Sequence, residues 1–172
     1  MKNIVIRIII SIVVILVFSA CSKEEESTTT DPFRCTGSSS GSGPTIGGVT
    51  LKEATYKEGS TSFMFVNSTS ANVVISGGDS YCYTIDATST TASVLKTNSA
   101  NTGNATIGGQ SAPGYDNVTA YYTIMTGSPA TYHMYIYADT DSSFYLNGWG
   151  YSSKSSADAV IFMTNENHYT IQ

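Results

Sequence analysis

The chain has 172 residues, with 8 basic and 13 acidic side chains and a formal charge of −5. That length suits one domain of ordinary size. The absence of a basic stripe disfavours a nucleic-acid binder, which needs cations to release phosphate counterions. Only 4 leucines against 48 serines and threonines disfavour a helical bundle or coiled coil.

At the N-terminus, Lys2 and Arg7 precede an apolar run, Ile8 to Phe18, broken only by Ser11. Positive charge followed by a short apolar run suits a secretory signal and is short for a bilayer span; an uncut anchor is the alternative. Phe18-Ser19-Ala20-Cys21 follows, with small residues at the two positions before the cysteine. These residues resemble a bacterial lipoprotein precursor, with a type II signal peptide and a lipobox. The resemblance implies removal of residues 1–20, a thiol of Cys21 carrying lipid, and acylation of the new amino group. Phe18 departs from the aliphatic residue usual at that place. Several acyl chains would anchor firmly where one binds only marginally.

Ser22 rather than Asp after the cysteine looks like an outer-membrane destination, and Ser22-Lys23-Glu24-Glu25-Glu26 is similar to an export tag of surface lipoproteins. The expected location is therefore the bacterial outer membrane, with surface exposure favoured over the periplasmic side. The plainer reading of the acidic run is a solvated, extended stretch.

Residues 21–48 are rich in Ser, Thr and Gly and read as an acylated, flexible tether, with a disordered stretch leading to a β domain at 49–172. Gly37 to Gly41 spells G-x-S-x-G around Ser39, but that motif needs a strand before it and a helix after it, and neither is predicted. Beyond Gly48, two-residue alternation predicts strands at Val49–Tyr56, Thr61–Val66, Asn72–Ser76, Ser80–Asp86, Ala92–Lys96, Asn104–Ile107, Val118–Thr126, Thr131–Ala138, Phe144–Gly150, Asp158–Met163 and His168–Ile171. The clearest hairpin joins Val118–Thr126 to Thr131–Ala138, with Tyr132, Met134 and Ile136 on one face and His133, Tyr135 and Tyr137 on the other. About nine to eleven short strands and no persuasive helix predict an all-β fold, a single β-sandwich or alternatively a small β-barrel. All 12 tyrosines lie beyond Gly48, so the core should lean on Tyr, whose hydroxyl needs a partner when buried.

Cys35 and Cys82 remain after Cys21, an even pair in an exported chain, and a disulfide between them is expected. It would close a loop of roughly 48 residues and stabilise by about 4 kcal/mol. Two free thiols are the alternative; the spacing does not suit a redox or metal pair.

Signals for chemistry are sparse. His133 and His168 belong to no metal motif; Glu166 and His168 could share a strand face as a base with its orienter, but no nucleophile is placed. Ser93-Val94-Leu95-Lys96 matches S-x-x-K only in letters, because residues three apart on a strand face opposite ways. Asp139-Thr140-Asp141-Ser142-Ser143 offers alternate oxygens to a hard cation, so Asp139 and Asp141, with Asp158 as third, form a calcium candidate; an ordinary acidic turn is the plainer reading. No other metal or cofactor is implied.

Trp149, between Gly148 and Gly150, could stack on a sugar or apolar ligand, with Tyr151, Tyr135 and Tyr137 as further contacts; a core tryptophan at a β bend is the preferred alternative. The expected function is a non-enzymatic binding or adhesin-like module, lipid-anchored at the membrane, whose partner is an extracellular glycan or protein. A periplasmic structural or assembly lipoprotein binding an envelope protein is second, and a small hydrolase using His133 or His168 is last.

Overall fold

The structure, a computed structural model, describes residues 34–107, 109–148 and 150–172. Cys21, the residues read as a signal peptide, the acidic run and Trp149 lie outside the described residues.

In chain order the described elements are β1 (Thr45–Ile46), β2 (Val49–Thr50), β3 (Thr55–Glu58), β4 (Thr61–Asn67), β5 (Ser70–Val74), β6 (Ser80–Thr97), β7 (Asn104–Ile107), β8 (Gln110–Pro113), β9 (Tyr115–Gly127), β10 (Tyr132–Thr140), β11 (Ser143–Leu146), a short helix α1 (Lys154–Asp158), β12 (Phe162–Met163) and β13 (His168–Ile171). The all-β expectation holds. Of the two architectures, the chain forms the barrel: the sheet runs β6-β5-β4-β3-β13-β11-β10-β9, and β9 pairs again with β6.

Closure depends on β6. Its first residues, Ser80 to Thr84, pair with β5, while Tyr83 to Thr97 pair with β9. The predicted strands Ser80–Asp86 and Ala92–Lys96 are thus one strand of 18 residues, with a register shift between Ala87 and Thr91. Its Ser/Thr-rich middle hides the continuity, since it carries no apolar alternation. The predicted strand Asp158–Met163 divides into the end of α1 and the two-residue β12, which pairs in parallel with β6 through Phe162↔Leu95.

Alternation along each strand sends one set of side chains inward. Tyr56, Phe63, Phe65, Phe144 and Tyr169 meet there as a packed aromatic group, with ring centroids 5.0 Å apart for Phe63–Tyr169 and 5.2 Å for Phe144–Tyr169. Met125, Met134, Ile136 and Leu146 fill the space around them. Eight strands enclose an interior that side chains can just fill, and here they do. The Tyr56 hydroxyl donates to the Asp141 carbonyl at 2.7 Å and accepts from the Lys52 N–H at 2.9 Å, so burial of the ring leaves no orphan oxygen. With this apolar interior, and with Lys57, Thr84 and Asp86 exposed on the wall, polarity is the reverse of a membrane-spanning barrel. Among the described residues no helix is long and apolar enough to cross a membrane.

The folded region begins ahead of Val49. Cys35 is bonded to Cys82, with Cα atoms 4.7 Å apart. The Cys35 N–H donates to Asn72 Oδ1 at 2.7 Å, and Asn72 and Cys82 are opposite each other across β5 and β6. Further on, the Gly43 N–H donates to the Leu51 carbonyl at 2.8 Å, and Ile46 is buried in the core. Composition marks residues 34–48 as linker-like, but covalent and backbone bonds hold them as a strap on the barrel.

Candidate functional site

A second cluster covers part of the barrel's outside: Val94, Ala120, Tyr122, Tyr135, Tyr145, Ala157 and Met163. The outer face of the β9–β10 hairpin supplies its centre. α1 covers it, starting at Ser153, whose Oγ accepts from the Ser156 N–H at 3.3 Å. Asn147 fastens the cover: its Oδ1 accepts from the Tyr135 N–H at 2.8 Å, and its Nδ2 donates to the carbonyls of Ala157 at 2.9 Å and Val160 at 3.1 Å. Sequence reasoning missed Asn147, whose only signal is its place before Gly148 at a strand end.

The structure brings Tyr135, Tyr137 and Tyr151 to this one side, as candidates for ligand contact require, but gives them different tasks. Tyr135 is only 2% exposed. Its hydroxyl donates to Asp158 Oδ1 at 2.7 Å and accepts from Lys154 Nζ at 3.1 Å. It is therefore a packing residue and cannot present its ring to a ligand. Lys154 bonds Asp158 at 2.7 Å and lies over the rings of Tyr122 and Tyr135, at 5.3 and 5.7 Å. The Lys154 ammonium beside it, then the Tyr135 hydroxyl, hold the Asp158 carboxyl below the usual range. Tyr151 is half-buried and its carbonyl accepts from the His133 N–H at 2.9 Å.

The calcium candidate is not assembled. Asp141 is paired with Lys52 at 3.2 Å and Asp158 with Lys154. Among the described residues no group of three His, Cys, Asp or Glu side chains could hold a metal ion. Ser39 is exposed and its Oγ donates to Glu53 Oε2 at 3.0 Å, in a segment with neither strand nor helix around it.

The two histidines are apart. The His133 ring bonds the Tyr122 hydroxyl through Nδ1 at 2.6 Å. His168 stands opposite Tyr145, which stands opposite Tyr137 on β10. His133 is four positions before Tyr137 on β10, about 13 Å along the strand from that row. Glu166 does not share a strand face with His168, because Asn165–Asn167 form a 3-10 turn before β13 begins.

His168 stacks on Tyr145 with centroids 4.0 Å apart, and its Nε2 is buried with no hydrogen-bond partner among the described residues. Burial lowers its pKa from the ordinary 6.5, Lys96 adds to this, and Asp139 opposes it. The unfolded imidazole therefore binds the proton more tightly than the folded one. Stability should be fully present above pH 6.5 and fall as pH drops from there through the folded-state pKa. Urea midpoints measured from pH 8 to pH 5 check this; His168→Phe should flatten the decline within that window.

Beyond the covered cluster lies an open feature. β9 and β10 pair from Met125↔Tyr132 to Tyr121↔Ile136 and then part. β9 continues along β6 to Tyr115↔Thr97, while β10 continues along β11 to Thr140↔Ser143. The β1–β2 turn enters this fork, leaving a cleft of about 280 Å³ lined by Gly47, Thr119, Tyr121, Tyr137 and Asp139 among others. Gly47 has φ +61°, and a Cβ there would run into the Tyr121 ring. Tyr137 is half-buried at the edge, its hydroxyl pKa raised by burial and then by the negative charges of Asp139 and Asp116.

Set against protein-family models, curated proteins and solved structures, the chain matches none.

Proposed function

We propose that this chain is a lipid-anchored, non-enzymatic β-barrel binding module of the bacterial outer membrane, displayed on the cell surface. The observation that carries the binding reading is the division of the barrel. Its interior is filled by aromatic side chains, whereas an open cleft remains in the wall, where β9 leaves β10 and the β1–β2 turn enters. A ligand would therefore be met at this gap in the wall and not inside the barrel, since an eight-stranded barrel with a solid core leaves no room within. Lys2, Arg7, the apolar run and Cys21 support the anchor, and Glu24 to Glu26 support display.

Protease shaving of intact cells, probed with an antibody to the barrel, tests display. The barrel should be digested without lysis, and Cys21→Ser should abolish metabolic labelling by palmitate. Protection until lysis would overturn surface display in favour of a periplasm-facing lipoprotein with an envelope partner.

A further inference from the structure

We infer that the sheet face running from the cleft along β9, β6 and β12 is a binding platform for a neutral glycan, whose sugar rings lie against Phe162 and Tyr115. The inference rests on the binding-module reading and names the class of ligand that its surface takes.

Register fixes the face. Beyond the stretches paired with β5 and β10, β6 and β9 stay paired with each other, and their side chains alternate between two faces. Val94, Ala120 and Met163 point into the outer cluster. Lys96 follows them, over the Tyr145 ring at 4.9 Å. The pairs Ser93↔Thr119, Leu95↔Asn117 and Thr97↔Tyr115 point the other way, joined by Phe162 opposite Leu95 on β12. Here β12 and β9 flank β6, and the rings of Phe162 and Tyr115 meet across it, 5.7 Å apart, leaving Leu95 buried. Phe162 is the large hydrophobic side chain left exposed among the described residues, and Ser93, Asn117 and Thr119 are exposed on the same face.

The chemistry of this face selects its ligand. Lys96 and Asp116, the charged residues of these stretches, stand opposite each other and belong to the other face. An ionic ligand would lose its water and find no counter-charge. What remains is an aromatic pair, an amide and hydroxyls. A sugar ring offers C–H groups to the negative face of an aromatic ring, and hydroxyls to amide and hydroxyl partners. Asp139 lines the same cleft as Thr119, where a carboxylate accepts from sugar hydroxyls and repels anions. Extent decides against a protein or a second copy. Strands about 4.8 Å apart, rising about 3.3 Å per residue from Ser93 to Thr97, give roughly 200 Å². A stable protein interface takes about 800 Å² from each partner.

The test is an array of neutral, sialylated, sulfated and amino oligosaccharides, probed with the purified full chain in a detergent without a sugar headgroup. The strongest neutral oligosaccharide is then titrated and followed by amide chemical shifts. Saturable shifts at Ser93, Leu95, Asn117 and Thr119 are expected, with little change on adding salt. Phe162→Ala should weaken binding about tenfold and Asn117→Ala about fivefold, each with a urea midpoint close to that of the wild-type chain. Phe162→Tyr should keep most of the affinity. Binding confined to charged oligosaccharides, no binding on the array, or wild-type affinity in Phe162→Ala would overturn the inference. A dimer seen by sedimentation and lost in Phe162→Ala would give the face to a second copy and overturn it as well. Glycan binding by a chain whose barrel is protected in intact cells would keep this site and overturn only surface display.

Discussion

Replacing Phe144 by alanine is expected to destabilise the barrel by about 3–5 kcal/mol, the range for removing a large aromatic from a packed core. Phe144 is fully buried on β11, and its ring lies 5.3 Å from Tyr56, 5.3 Å from Phe63, 5.9 Å from Phe65 and 5.2 Å from Tyr169. These neighbours come from β13, β3 and β4, the three strands that follow β11 in the wall, and a closed wall cannot collapse inward without breaking ladder hydrogen bonds. The cavity should therefore stay open, and the loss should fall toward the upper end of the range. Domains of this size hold only about 5–15 kcal/mol in all, so the variant should be near its unfolding midpoint in mild urea. Phe162 gives the contrast. It is 43% exposed on β12 and meets chiefly Tyr115, at 5.7 Å. Phe162→Ala should change stability by no more than about 1 kcal/mol. Equal losses for the two variants in urea denaturation would contradict the filled-barrel description.

The second large effect belongs to Cys35 and Cys82. Converting both to serine should remove about 4 kcal/mol, because the unfolded chain regains the freedom of a loop of 47-residue separation. A reductant should lower the urea midpoint of the wild-type chain by the same amount and leave the double variant unmoved. Either single serine variant should cost as much as the double, since each alone breaks the same bond; additive losses would mean the cysteines act separately. Backbone protection at Cys35 should vanish with the disulfide, because the hydrogen bond to Asn72 depends on the strap lying over β5.

Much of this wall is legible from alternation. β7 and β13 fold over the residues that periodicity predicts, and on β10 the split between Met134 and Ile136 inside and His133, Tyr135 and Tyr137 outside is what the structure contains. Pairing Cys35 with Cys82 needs only an even count and an exported chain. What escapes the sequence is set by register and tertiary contact. β8 has no apolar alternation in Gln110 to Pro113 and exists because it pairs with β7. α1 is too short for a helical period and is held by Asn147 and the Ser153 cap. The merging of two predicted strands into β6 decides barrel against sandwich, and no local pattern records that β9 will return to it. The cleft is less legible still. It arises where pairing of β9 with β10 stops after Tyr121↔Ile136, so Tyr137 and Asp139 border it while the equally aromatic Tyr135 is consumed by packing. Gly47, in a stretch that composition assigns to a linker, shapes its wall.

The disulfide strap also decides how the domain meets mechanical force. A pull on the chain from the N-terminal side reaches Cys35 and passes through the sulfur bridge to Cys82 within β6. That strand is hydrogen-bonded to β5 on one side and β9 on the other, so tension loads two ladders at once instead of peeling an edge strand. The 46 residues between the cysteines (82 − 35 − 1 = 46) are shielded from the load. About 160 Å of contour, which those residues would release if drawn out, stays locked while the bridge is intact. A barrel held at its N-terminal end in flowing liquid would thus extend only by its outer slack, and a reducing medium would turn the same attachment into one that yields.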